Sequence, residues 1–375
     1  MDIIIGGDLL PTQSNIDLFN KADLNTLLGG DLLSLWNSAD NRIFNLETPL
    51  TDEENPIDKF GPNFMSPKST IKGIKALNPS LVSLANNHIL DQGEQGLKST
   101  QDIFKKNNIP FVGVGGNISD ASVPFIIKNE GLKIGIYACV ENEFSIATEK
   151  TAGANPFNPL ETLDHILELK NICNYVLVLY HGGKEWYRYP SPYLQKVCRK
   201  LCEKGADLVV CQHSHSIGSF EEYNGSTIIY GQGNFIFDEI DNEFIKTAML
   251  LKLSISNRIQ VDYIPIVKVG NVIRIADVQL KEDILSLLHK RSKEILKEGF
   301  IEHKYKELIH KNIEDYLRRF AGFNKWLSFI DRRLLNGILV KHKYSKIQLL
   351  AIQNYLECEA HRELIIAGLK ERKIN

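Results

Sequence analysis

Over its first 280 residues the chain alternates short apolar, β-rich runs with longer stretches of helical periodicity, and this pattern restricts the fold more than any other feature. DIIIG, NRIFNLE, SLVSLAN, PFVGVG, VPFIIK, KIGIYACV, YVLVLYHGG, ADLVVCQHS and STIIYGQGNFIF each read as a strand bounded by Gly, Asn, Asp or Pro. SPKSTIKGIKAL, GEQGLKSTQDIFKKNN, PLETLDHILELKN and SPYLQKVCRKLCEKG read as the helices between several of them. Alternation of this kind predicts an α/β architecture, with helices covering the outer faces of the sheets. Three further runs, TAMLLKLSIS, RIQVDYIPIVKV and VIRIADVQL, have strand periodicity and no helices between them, so an antiparallel meander is expected to close the domain. Two regions follow: an α/β domain at 1–280, and from 281 to 375 an amphipathic helical region rich in Lys and Arg.

At 375 residues and 43% apolar content the chain can bury a full core. It shows no signal-peptide pattern and no apolar run long enough to span a bilayer, and its six cysteines lack paired spacing. A reduced, cytoplasmic protein is expected. Cys198 and Cys202 read as core residues rather than metal ligands. Nothing marks specific nucleic-acid recognition. The basic region is expected to cap the main domain; an anionic polymer, an acidic membrane surface or another subunit is the alternative partner.

Residues suited to chemistry recur where the apolar runs end. Asp8 follows IIIGG, Asn45 and Glu47 follow NRIF, Asn86, Asn87 and His88 follow LVSLA, His181 follows YVLVLY, and His213 and His215 follow DLVVCQ. Loops leaving the carboxyl ends of strands form the ligand crevice of layered α/β proteins, so these distant positions are expected to share one pocket. Carboxylates, amide oxygens and imidazoles make a hard-to-borderline donor set suited to one or two divalent ions, Mn²⁺, Zn²⁺ or Fe²⁺. If Glu47 bridged two ions, they would stand roughly 3.5 to 4 Å apart and present a hydroxide for in-line attack on phosphorus. His213 and His215 point the same way if the chain there is extended. Asn86 reads as a turn holder or substrate contact, and Asp91 as the cap of the helix starting near Gly93, with orientation of His88 as its other role. Lys184, Glu185 and Arg188 are candidate contacts to an anionic substrate. Asn234 is another, in a Gly-rich segment that lets backbone approach closely.

GGDLLP, FNLETPL, LANNHILDQG, YHGGKEWY and QHSHSIGSFEEYNGSTIIYGQGNFIFD, in this order, resemble the CapA family of poly-γ-glutamate and capsule synthesis proteins, which carry a metallophosphatase-like, calcineurin-type domain. The resemblance implies a four-layer α-β-β-α sandwich with a dinuclear metal centre. It assigns Asp8, Glu47, Asn87, His181, His213 and His215 to metal, with Glu47 bridging, and His88 to the leaving group. Two departures stand out: Leu9 and Leu10 follow Asp8 where Asp-x-His is usual, and Asn45-Leu46-Glu47 replaces the usual bridging Asp, leaving Asn45 to meet metal or substrate. The expected function is a metal-dependent, phosphoesterase-like hydrolase in capsule or poly-γ-glutamate synthesis or processing, acting on an anionic polymer or phosphorylated precursor. The alternatives are a non-catalytic binding or export factor for that polymer, and a metal-dependent γ-glutamyl amide hydrolase.

Overall fold

The computed structural model describes residues 1–129, 131–237 and 242–374. Two compact units emerge, Met1–Ile301 and Glu302–Asn375. The break falls later than the change in charge suggests, because the helix Val278–Glu294 packs with the first unit. Its Ile284 and Leu288 join a cluster with Ile217 and Met249, and its Ser292 hydroxyl accepts from the Phe220 amide at 2.9 Å.

Two sheets carry the first unit. The eight-stranded sheet has at its centre Asp2–Leu9, which runs parallel to Asn41–Leu46, and that strand in turn to Leu81–Ser83 and Phe111–Val112. On its other side lie the antiparallel strands Thr247–Ile255, Ile259–Val269 and Val272–Ile275. This is the expected meander, except that the last run turns helical at Val278 once the Asp277 carboxylate caps the Leu280 amide. The six-stranded sheet has Leu132–Val140, Tyr175–His181, Leu208–Gln212 and Ser226–Ile229 in parallel, with antiparallel edges at Phe125–Asn129 and Phe220–Tyr223.

Side-chain alternation along these strands separates three apolar layers. Ile3, Ile5, Leu251 and Leu253 of the first sheet meet Ile136, Leu177, Leu179 and Val210 of the second, so the sheets pack face to face. Ile4, Phe44 and Leu250 point the other way, onto the helical residues Phe19, Trp36, Leu97 and Phe104. Val176, Val178 and Val209 likewise meet Ile166, Leu169, Val197 and Leu201. The order is helix, sheet, sheet, helix, the four-layer sandwich that the family resemblance implies. Cys198 and Cys202 lie in the last of these layers, buried and unbridged.

The second unit is helical. Phe300–Phe320 enters it and is followed by Lys325–Arg333, Ile338–Lys343, Lys346–Glu357 and Glu359–Ile374. Asn324 caps the second of these helices by accepting from the Leu327 amide, and Ser345 with Gln348 forms a capping box on the fourth.

Candidate metal centre

Parallel register aligns the strand ends. Asp8 pairs with Asn45 on one side and with Asn234 on the other, while His181 pairs with Val140 and Gln212. The carboxyl ends of strands from both sheets therefore open on one place. Close approach of the segment ahead of Asn234 depends on glycine. A Cβ on Gly7 would stand 2.0 Å from the Gly233 carbonyl oxygen, and Gly233 itself sits at φ +76°. The last residue of the Gly-rich motif, Asp238, lies outside the described residues.

Two donor groups form there, sharing Glu47. The carboxylates of Asp8 and Glu47 with the His215 ring, and separately Glu47 with His181 and His213, each offer ligand atoms lying within 4.8 Å of one another. Asn87 belongs to the second group, its Oδ1 3.0 Å from His181 Nε2, and Glu47 Oε1 lies 3.4 Å from that same nitrogen. All six side chains are buried.

Their charges are interdependent. Burial would raise the Glu47 carboxyl, but His215, His181 and His88 together outweigh it and hold the group at about 2. Burial, reinforced by the charge of Glu47, raises Asp8. His181 is raised despite its burial, because Glu47 and Asp8 favour its charged form. His213 goes well below the usual histidine value, pushed by burial and by the neighbouring His181 and His215.

Several expected roles are redistributed. His213 and His215 converge through left-handed backbone, φ 77° and 51°, and not through an extended chain. Asn45 is fully buried and bonded within the protein: its amide nitrogen donates to Asp8 Oδ1 at 2.8 Å and lies 3.3 Å from His181 Nδ1, while its oxygen accepts from Asn86. Asn86 also donates to the Leu46 carbonyl and accepts from the His88 amide, so it holds the turn, fully buried. Asp91 does not cap the helix Gly93–Lys106, whose cap position is Gln92. It orients His88 instead, with Oδ2 2.6 Å from His88 Nδ1. Lys59 Nζ is ion-paired to the other Asp91 oxygen and lies 3.2 Å from the same imidazole nitrogen, and Phe64 stacks on the ring at 4.1 Å.

Asn234 Oδ1 stands 2.8 Å from His215 Nδ1, which makes it a partner of that histidine. Arg188 is turned to the Ile217 carbonyl and lies over the Phe244 ring, while Lys184 is exposed. Glu185 offers an oxygen within 4.8 Å of His213 and His215, closer to the donor set than a rim contact would be.

Residues 2–239 match the family described as bacterial capsule synthesis protein PGA_cap. The chain belongs to the PGA_cap family. The PGA biosynthesis protein CapA of Bacillus subtilis (strain 168) is 32% identical over 210 residues, 55% of each chain. The capsule biosynthesis protein CapA of Bacillus anthracis is 30% identical over 178 residues, 46% of this chain and 43% of that one. This PGA_cap chain thus spans about half the length of these curated relatives. Among solved structures, a phosphatase from Mycoplasma pneumoniae is 13% identical at a TM-score of 0.45, covering 76% of this chain and 98% of that one. That likeness is too remote to carry a functional argument.

The donor set of the PGA_cap chain fits a divalent cation. Both Glu47 oxygens and His213 Nδ1 are buried without a hydrogen-bond partner among the described residues. Burying such a carboxylate is costly unless positive charge compensates it, the part that His215, His181 and His88 play in the metal-free protein and that a cation can take over. Two donor atoms each about 2.1 Å from one ion stand about 3.0 Å apart in octahedral and about 3.4 Å apart in tetrahedral arrangement. The separations of His181 Nε2 from Asn87 and Glu47, 3.0 and 3.4 Å, match those spacings.

The sequence reading passes over Glu141 and Glu143, which form a further group with His213. Glu141 directly follows the strand Leu132–Val140, so the strand-end rule that finds His181 applies to it equally. Lys59 and Phe64 lie in an irregular loop with no periodicity to announce them.

Proposed function

We propose that this protein is a metal-dependent hydrolase of the phosphoesterase type, acting on a phosphorylated or acyl-phosphate group of an anionic polymer or its precursor in capsule or poly-γ-glutamate synthesis. The observation that carries this reading is the buried, hydrogen-bond-orphaned Glu47 carboxylate, shared by two donor groups and flanked by an oriented histidine. The names of the relatives, PGA biosynthesis and capsule biosynthesis, support the physiological setting.

Asp8, Glu47 and His215 would hold one ion, and Glu47, Asn87, His181 and His213 another. A cation so held supplies Lewis-acid polarisation of a phosphoryl oxygen and lowers the pKa of a water. The remaining chemistry belongs to the protein. Asp91 accepts from His88 Nδ1–H, so Nε2 is the nitrogen left to face a leaving oxygen, and in the doubly protonated ring it is the Nε2 proton that would pass to that oxygen. Phe64 keeps the ring plane in place and shields one face from water. Asn45 and Asn234 hold Asp8, His181 and His215 in register, as supporting groups commonly do around a metal.

The test is a panel of model phosphomonoesters, phosphodiesters and γ-glutamyl amides, run with Mn²⁺ and with chelator on the native chain and on His88→Ala. Phosphoester turnover that needs Mn²⁺, and that His88→Ala loses while still binding Mn²⁺, supports the reading. Turnover of γ-glutamyl amides alone would replace it with an amidase. If no substrate turns over and polymer binding survives His88→Ala, the pocket is a binder.

A further inference from the structure

The second unit combines a concentrated basic charge with large apolar side chains left in solvent. Residues 319–346 hold seven Lys or Arg and one acidic residue, Asp331. That acid is fully buried, where it pairs with Arg318 at 2.7 Å and accepts from the Leu339 amide. In the same stretch Trp326 is 78% exposed, Leu334 73%, Phe320 58% and Phe329 55%. Trp326, Phe329, Ile330 and Leu334 follow helical spacing, so they form one apolar stripe, with Arg333 set within it and Lys325 and Arg332 along one edge.

The stripe sits on a braced scaffold. Arg318 bonds Glu314, Asp315 and Asp331 at once, tying the helix Phe300–Phe320 to Lys325–Arg333, and the Asp331 carbonyl accepts from Gly337 ahead of Ile338–Lys343. Two exposed cations are partly answered, Arg332 by Asp315 and Lys341 by Glu314.

We propose that the helices Lys325–Arg333 and Ile338–Lys343 dock the chain on an anionic lipid bilayer surface. Trp326, Phe329 and Leu334 enter the headgroup boundary, and Lys325, Arg333 and Lys343 meet lipid phosphates. Charge complementarity selects the sign of the partner, and the aromatic stripe selects its kind. A soluble polyanion would engage the cations but leave the apolar stripe in water, while a second copy would bring like charges together. No helix among the described residues is long and apolar enough to cross a membrane, so the contact is with the surface.

The test is co-sedimentation of the full chain with vesicles of phosphatidylcholine alone and of phosphatidylcholine mixed with phosphatidylglycerol. Binding only to the mixed vesicles is expected. Each of Lys325→Gln, Arg333→Gln and Lys343→Gln should weaken it about fivefold, the factor for one charge near such a surface. Trp326→Asp with Phe329→Asp should abolish it with the far-ultraviolet circular dichroism unchanged, since both side chains are exposed. Equal binding to neutral vesicles, no binding to either, or survival of the double aspartate variant would overturn the proposal. So would full displacement by soluble poly-glutamate, which identifies a polyanion site, or lipid-free self-association that Phe329→Asp removes, which identifies a second copy.

Discussion

Glu47→Gln separates a metal ligand from a merely buried acid. Holding this carboxyl at about 2, against an ordinary 4.5, favours its ionised form in the fold by about 3 kcal/mol at neutral pH. Gln keeps the shape and removes the charge, so in chelator the variant should lose about that much stability. With Mn²⁺ at about a hundred times its Kd, the native chain should gain about 2.7 kcal/mol by mass action, whereas the variant, lacking the ligand common to both donor groups, should gain almost nothing. The gap between the two proteins then grows from about 3 to nearly 6 kcal/mol when chelator is replaced by Mn²⁺. Urea unfolding followed by far-ultraviolet circular dichroism in the two buffers measures both gaps. Equal gaps would refute the reasoning, because Glu47 would then be stabilised by its histidines alone.

The pH dependence of the metal-free chain has two limbs. Glu47 titrates below its unfolded value, so its contribution is complete above pH 4.5 and is lost as pH falls toward 2; His181, raised above 6.5, reports the same attraction from its partner, and that stability fades as pH rises through its folded value. Asp8, raised by burial and by Glu47, adds a loss that sets in as pH rises from 3.8 through its folded value, and Mn²⁺ should abolish both losses on rising pH in thermal melts because a cation replaces the proton. Gly7→Ala should cost about 3 kcal/mol or more, since its Cβ would collide with the Gly233 carbonyl; a smaller loss in urea unfolding would show that the two segments can separate. Asp91→Asn should lower phosphoester turnover by about a hundredfold or more while leaving Mn²⁺ binding by calorimetry unchanged, as a group acting only through His88 would. In chelator, His215→Gly should be about 1 kcal/mol more stable than His215→Ala, because only glycine escapes the cost of the left-handed backbone at this position.

Much of the fold is legible because its signals are local. Unbroken apolar runs such as YVLVLYHGG mark strands buried on both faces, and Asp8, Asn87, His181 and His213 stand out because each follows such a run. What local pattern cannot convey is how a side chain is used once several elements meet. Asn45 and Asn86 carry the same groups whether they face substrate or each other, and only the pairing of Asp8 with Asn45 directs that amide inward. Asp91 sits where a helix cap is expected, yet Lys59 and the Phe64 amide, brought in by an irregular loop, draw its carboxylate to His88. The extended geometry expected at His213 and His215 fails for a related reason. The chain turns sharply after Gln212 so that both rings reach Glu47, which an extended dipeptide leaving the sheet could not achieve.

The unfavourable features of this molecule are gathered at one point. A buried carboxylate, a His213 nitrogen and an Asn234 amide without hydrogen-bond partners among the described residues, and two histidines in left-handed backbone, all lie where the strand ends converge. Around them the chain is locally consistent: three apolar layers fill the spaces between helices and sheets, and the strand Tyr175–His181 keeps regular parallel register with both of its neighbours up to that point. Strain and unmet polarity that persist in a well-packed surrounding mark a site shaped for something other than stability. Here the deficit also has a sign. Glu47 is held ionised while His213 is held neutral, so the pocket offers a buried negative charge beside an imidazole lone pair, and a divalent cation meets both at once, where an anion meets neither and a neutral donor leaves the charge uncompensated.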